Sequence, residues 1–159
     1  MLSISFNHLS YSILNMSKVR IHITVTFLIM VFIFFQSALP GDLSGAESNF
    51  IVELITRILD TDAETVSFIV RKLAHFTEYL ILGIFLALDA QDIAVMRQRE
   101  TGFAYIWFIP FLTGMLYAAT DEFHQSFVPG RSCELRDVMI DSAGVAAGVL
   151  ILTLMRRGR

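Results

Sequence analysis

Four long apolar stretches divide the chain, and each approaches the roughly 20 residues that a helix needs to cross a bilayer. The first is almost purely apolar, whereas the other three carry polar residues at one end. The stretches cover residues 21–39, 66–90, 103–119 and 138–155. The pattern predicts an all-α, multi-pass membrane protein with four transmembrane helices in a small bundle.

A shorter segment between the first two stretches has apolar residues at helical spacing, opposite Glu53 and Arg57. The apolar residues are Phe50, Ile51, Leu54, Ile55, Ile58 and Leu59. This periodicity predicts a short amphipathic helix, which lies on the membrane surface or packs on the bundle. The run Thr61-Asp62-Ala63-Glu64 fits a capping box, so we expect the second long helix to start there.

The two ends of the chain differ from the predicted bundle. Residues 1–20 are rich in Ser and mixed in polarity, so we expect a loose N-terminal tail before a membrane domain over residues 21–155. Met16 offers an alternative start of translation, and a short basic tail, residues 156–159, follows the last span. Lys and Arg residues flanking the spans are modestly more frequent on the side of the N-terminus, which predicts that both termini are cytoplasmic.

Composition supports a membrane protein and narrows its partners. Of 159 residues, 55% are hydrophobic and 17% charged, and the mean hydropathy is +0.63. In soluble domains, by comparison, about a quarter of the residues are charged. The net charge of −3 is uninformative, but the only basic cluster is Arg156-Arg157-Gly158-Arg159, so no nucleic-acid partner is expected. A single cysteine, Cys133, excludes an intramolecular disulfide and a cysteine-rich metal site.

Polar residues at the ends of the last three stretches form the main candidate site. Because successive spans cross in alternate directions, these ends meet on one side of the membrane. Lys72, His75 and Tyr79 are spaced i, i+3 and i+7, so they share one face of a helix. The full set of candidates is Lys72, His75, Glu78, Tyr79, Asp121, Glu122, Gln125, Arg131, Asp137 and Asp141.

Two local patterns predict that this polar end faces the bundle interior. Gly144 and Gly148 form a G-x-x-x-G pattern on the same stripe as Asp141, and such a pattern lets another helix approach closely. Pro129-Gly130 favours a turn that returns Arg131 over the bundle. A guanidinium group placed there suits a phosphate or a carboxylate.

Simpler interpretations of the same residues remain open. The basic residues can be structural ion-pair partners of the acids, that is, Lys72, Arg131 and Arg136 with Asp121, Glu122 and Asp137. His75 can be an interior residue with satisfied hydrogen bonds, and His124 can face lipid headgroups. No metal and no cofactor are expected, because the histidines lack the spacing of a metal site. Ser126 lacks the context of a catalytic nucleophile.

At these residues the chain resembles the VanZ-like family of bacterial membrane proteins. The matching segments are Lys72-Leu73-Ala74-His75-Phe76-Thr77-Glu78-Tyr79 with Leu82-Gly83, Asp121-Glu122-Phe123-His124-Gln125 with Pro129-Gly130-Arg131, and Asp137-Val138-Met139-Ile140-Asp141 with Gly144 and Gly148. Phe34-Phe35-Gln36-Ser37 is similar to the family's opening helix. One position departs from the pattern, since Asp141 stands where the family typically has Asn. The resemblance implies a four-helix protein of the bacterial cell membrane, in a family linked to teicoplanin resistance and without a firmly assigned reaction.

Three functions are compatible with these observations. The first is a binding protein, in which Lys72, His75 and Arg131 hold an anionic membrane lipid or a lipid-linked cell-wall precursor at the outer membrane face. The second is an intramembrane enzyme that modifies a lipid headgroup, with His75 or Asp121 as general base. The third is a small transporter, against which no broken helix or inverted repeat is visible. Whether the protein is an enzyme, and its oligomeric state, are left open.

Overall fold

The structure is a computed structural model, and it describes residues 2–39, 49–97 and 102–157. Five helices account for nearly all of these residues. They are α1 Leu2–Ser37, α2 Asn49–Leu59, α3 Ala63–Met96, α4 Phe103–Gln125 and α5 Leu135–Arg157. The described part of the chain contains no strand, which confirms the all-α fold.

Three helices in the described part of the chain are long and apolar enough to cross a membrane. They are Met16–Ser37, Ala63–Met96 and Leu135–Arg156, with mean hydropathies of 1.9, 1.7 and 2.0. Large apolar side chains such as Phe27 and Phe35 point outward from α1, as a lipid-facing surface requires. The protein is therefore a membrane protein. Helix α4 is not one of the three, so a fourth span over residues 103–119 stays a prediction.

Helices α3 and α5 form the closest pair of the bundle, because glycines replace side chains where they meet. A Cβ atom built on Gly144 would lie 2.5 Å from the Phe76 carbonyl oxygen. One built on Gly148 would overlap the Leu80 carbonyl oxygen. The G-x-x-x-G pattern thus works as predicted, and it turns the face that carries Asp141 toward α3.

The helices alternate in direction, and two contacts between distant residues show this. At one end of the bundle, His22 of α1 bonds Asp92 near the end of α3 at 2.6 Å. At the other end, Ser37 of α1 bonds Asp121 near the end of α4 at 2.7 Å. An ion pair between Lys72 of α3 and Asp137 of α5 adds the last two elements, so the end of α1, the start of α3, the end of α4 and the start of α5 lie together, as the sequence predicts for the polar groups.

The region between α1 and α3 contains the predicted amphipathic helix α2, in which Val52 is buried and Ile58 is exposed. Its position on a membrane surface stays a prediction. Helix α3 begins in the predicted capping run, with Asp62 as the N-cap instead of Thr61. The Asp62 carboxylate accepts a hydrogen bond from the Thr65 N–H at 2.7 Å, which lowers the pKa of Asp62.

The N-terminal segment differs from its prediction. The sequence predicts a loose tail up to residue 20, whereas the backbone is helical from Leu2 and continuous with the first span. Once a helix exists, each added residue gains a hydrogen bond without a new nucleation cost, so a mixed-polarity segment can extend it. The domain boundary at residue 20 stays a prediction.

Candidate functional site

A cavity of about 490 Å³ opens at the end of the bundle where the polar groups meet. This volume lies in the range of about 300–1,000 Å³ that small-molecule sites occupy. Six of the predicted site residues line it: Lys72, His75, Glu78, Gln125, Arg131 and Asp137. The other four lie behind this lining and are buried: Tyr79, Asp121, Glu122 and Asp141. The structure thus brings all ten residues to one end of the bundle, and their functional role stays a prediction.

We call this cavity of about 490 Å³ the outer cavity. Below it, Asp121 joins three helices. Only 3% of Asp121 is exposed. One of its carboxylate oxygens accepts hydrogen bonds from the Ser37 hydroxyl at 2.7 Å, the Tyr79 hydroxyl at 3.2 Å and the Gln125 amide at 3.3 Å. Because its donors come from α1, α3 and α4 itself, this one buried oxygen holds the three helices in register.

Arg131 returns over the bundle, as the Pro-Gly turn predicts. Gly130 adopts φ 78°, a conformation that favours glycine, and the chain reverses there. The Arg131 Nε donates to the Leu39 carbonyl oxygen at 3.0 Å, and Nη1 donates to the Gln125 side-chain oxygen at 3.2 Å. Both acceptors are neutral. Of the two alternatives for Arg131, the structure therefore does not show the ion pair with Asp121, Glu122 or Asp137, because carbonyl oxygens occupy its donors.

A second guanidinium, that of Arg71, lines the same cavity. Burial and then the charge of Arg71 lower the pKa of Arg131, which indicates that the two positive groups act on each other. Among the ion pairs of the described residues, neither arginine has a carboxylate partner. Two guanidinium groups without an ion-pair contact line one cavity, and an anion between them would relieve their repulsion.

Lys72 behaves differently from the two arginines. It forms a partly buried ion pair with Asp137, so for this residue the simpler ion-pair interpretation is correct. Arg136 is also paired, but with the nearby Glu134 at 3.2 Å instead of an acid of the predicted site. These two ion pairs neutralise most of the charge of Lys72, Asp137, Arg136 and Glu134. Arg71 and Arg131 are then the basic side chains of the site that have no ion-pair partner among the described residues.

Glu122 and Asp141 lie deeper, and each is only 1% exposed. Glu122 accepts a hydrogen bond from the Glu134 N–H at 3.1 Å. Neither carboxylate oxygen of Asp141 has a hydrogen-bond partner in the described part of the chain. A small inner cavity of about 10 Å³ lies here, which is room for about one water molecule. Its lining consists of Lys72, His75, Glu122, Asp137, Ile140 and Asp141.

The two histidines considered from the sequence occupy different surroundings. His75 lines both the outer and the inner cavity. The His124 ring stacks on Phe34, with ring centroids 4.4 Å apart, and lies away from both linings. Within residues 16–39, 52–97 and 102–157, no three His, Cys, Asp or Glu side chains are placed to hold a metal ion.

Sequence reasoning missed three residues of the site: Ser37, Arg71 and Glu134. Ser37 had a signal, because Gln36 and Ser37 are polar residues at the end of an apolar stretch. Arg71 adjoins Lys72 but lies outside the helix face that Lys72, His75 and Tyr79 were predicted to share. Glu134 contributes its backbone N–H to Glu122, a contact that no side-chain pattern predicts.

Apolar helices of spanning length, with a polar cavity at one end of their bundle, define a helical membrane protein. A family model described as VanZ/LLP1 matches residues 22–156, nearly the whole chain. The chain therefore belongs to the VanZ/LLP1 family, which confirms the resemblance seen in its motifs. Comparisons with curated proteins and with solved structures gave no match.

Proposed function

We propose that this protein binds a phosphate-bearing headgroup, carried by a membrane lipid or a lipid-linked cell-wall precursor, in the outer cavity. The observation that supports the proposal most strongly is the convergence of Arg71 and Arg131 without carboxylate partners. A guanidinium group presents a planar fork of donors that matches phosphate oxygens. Two such groups on one wall are suited to a single anion.

The site is ordered before any ligand arrives. Leu39 and Gln125 already fix the Arg131 guanidinium, and the Gln125 amide donates to Ser37 at 3.2 Å and to Asp121 at 3.3 Å. A ligand that meets a fixed guanidinium does not have to immobilise a long side chain, so more of its contact energy contributes to affinity.

Large exposed apolar side chains surround the polar end of the bundle. Leu135 is 76% exposed and Phe127 is 71% exposed, and Leu73 and Phe123 also point outward. Phe68, which is partly exposed, reaches the cavity lining itself. Apolar groups next to a charged cavity suit an amphiphile, whose chain stays in the bilayer while its headgroup enters the cavity.

The same proposal includes a position in the cell envelope. The distribution of Lys and Arg favours cytoplasmic termini, which would put the outer cavity at the outer face of the bacterial cell membrane. Teicoplanin carries an acyl chain that engages membranes. A protein that holds headgroups at that face can change the drug's access to its target, and so contribute to resistance.

Lipid binding by the purified full chain tests the proposal. We expect Arg131→Gln to weaken the affinity for short-chain phospholipids about 10–100-fold, the range that a lost hydrogen bond to a charged group gives. Arg97→Gln is the matched control, since Arg97 is exposed beyond the opposite end of α3. Unchanged affinity in Arg131→Gln, or an equal loss in Arg97→Gln, would contradict the proposal.

Cells carrying the same variants test the enzyme alternative. A binding protein predicts altered teicoplanin susceptibility in Arg131→Gln without a new or missing lipid species in the membrane extract. A lipid species that appears only with the wild-type chain would instead show a headgroup modification.

A further inference from the structure

One carboxylate on the wall of the outer cavity has no hydrogen-bond or ion-pair partner in the described part of the chain, although the charge of Arg131 acts on it. Three acids line this cavity: Glu78, Glu134 and Asp137. Glu134 is paired with Arg136, and Asp137 is paired with Lys72. Glu78 is half-buried and makes neither a hydrogen bond nor an ion pair with a described residue.

The exposed wall of the cavity therefore combines two positive groups with one negative group. A ligand that carries only negative charge would satisfy Arg71 and Arg131 but would be repelled by the ionised form of Glu78. Repulsion between like charges is strong in a partly dehydrated site, where the effective dielectric constant is well below that of water. A cationic group on the ligand, next to its phosphate, would remove this repulsion and pair Glu78.

The spacing along α3 suits such a ligand. Arg71, Ala74 and Glu78 are spaced i, i+3 and i+7, so they follow one face of the helix. Ala74 is exposed and lines the cavity with a single methyl group, which leaves room between the two charged side chains. Arg131 lies between these two side chains, because its guanidinium interacts with the charges of both Arg71 and Glu78.

We propose that the headgroup is zwitterionic, with its phosphate bound by Arg71 and Arg131 and a primary ammonium bound by Glu78. An ethanolamine phosphate headgroup on a membrane phospholipid has this chemistry. The inference rests on the proposed function and specifies the class of headgroup. The ammonium group of this headgroup would be the ion-pair partner that Glu78 lacks within the described part of the protein.

Two lipids that differ only in the headgroup provide the test. Phosphatidylethanolamine and phosphatidylglycerol with identical acyl chains share the phosphodiester, but only the first has an ammonium. We expect the wild-type chain in detergent to bind phosphatidylethanolamine at least about tenfold more tightly, as a hydrogen-bonded charged pair provides. Glu78→Gln removes this preference, whereas Glu64→Gln, at an exposed position of the same helix, retains it.

A ligand-side variation avoids any effect of substitution on folding. Phosphatidylcholine replaces the ammonium hydrogens with methyl groups and cannot donate to Glu78, so we expect it to bind more weakly than phosphatidylethanolamine. Equal affinities for the three lipids would overturn the zwitterion inference and leave the phosphate site intact. If Arg131→Gln leaves all three affinities unchanged, the proposed function itself fails.

The source of the headgroup is tested with soluble phosphoethanolamine as competitor. We expect it to compete at least about tenfold less effectively than the lipid, because it lacks acyl chains. In the lipid, these chains would contact the exposed apolar side chains around the cavity, such as Phe127 and Leu135. Competition as strong as that of the lipid would overturn a membrane lipid as the ligand.

Discussion

The close packing of α3 on α5 predicts a large effect of one added methyl group. In Gly148→Ala, the new Cβ atom would overlap the Leu80 carbonyl oxygen and lie 2.8 Å from the Ile84 nitrogen. Both are backbone atoms of α3, so no side chain can move aside. Carbon to oxygen contacts are normally about 3.3–3.6 Å, and the helices would have to separate by about 1 Å.

The magnitude follows from two costs and one gain. Overpacking of a well-packed interface costs about 1–3 kcal/mol. A 1 Å gap also forfeits up to about half of the dispersion energy of each contact that it opens. Alanine recovers about 1 kcal/mol through its better helix propensity. We therefore expect Gly148→Ala to lower the free energy of unfolding by about 1–3 kcal/mol.

Thermal or SDS-induced unfolding of the purified protein in detergent measures this change. Gly102→Ala is the matched control, because a Cβ built at Gly102 meets no atom within 4 Å. Its expected cost is below about 1 kcal/mol, the difference between Gly and Ala at an N-cap. A Gly148→Ala protein as stable as the wild type would refute the close approach of the two helices.

The remaining predictions concern the polar end. Asp141→Asn raises the unfolding midpoint at alkaline pH, where the Asp141 carboxyl ionises, because a buried charge without hydrogen-bond donors costs several kcal/mol; a lower midpoint there would mean that Asp141 has a partner. Ser37→Ala lowers stability by about 1–3 kcal/mol, since Asp121 loses its donor at 2.7 Å, whereas the exposed Ser17→Ala has little effect. A membrane-impermeant maleimide labels Cys133, which is exposed, in intact cells; labelling only after permeabilisation would reverse the proposed orientation.

Helical periodicity is sufficient to predict which face carries the site. Residues spaced by three, four or seven positions overlap on any α-helix, so Lys72, His75 and Tyr79 meet whatever the details of packing. The glycine pattern adds the direction of that face, because only the side that packs against another helix benefits from Gly144 and Gly148. These local rules explain why all predicted residues lie at one end.

Pairing between distant residues is less accessible from the sequence. Arg131 has several acids nearby in the chain, yet its side chain binds Leu39, which is 92 positions away, and Gln125. The choice depends on where the turn at Gly130 aims the side chain and on how far α1 extends. Ser37 is a site residue for the same reason, since its contact with Asp121 exists only after α1 has packed.

The most direct test of the central claim is the dipolar coupling between lipid phosphorus and labelled arginine guanidinium nitrogens, measured by solid-state NMR in bilayers. Comparison of the wild type with Arg131→Gln assigns the contribution of that one residue. The proposed site predicts a coupling in the wild type that decreases in the variant. The same coupling in both proteins, with lipid bound, would contradict a phosphate site at Arg131.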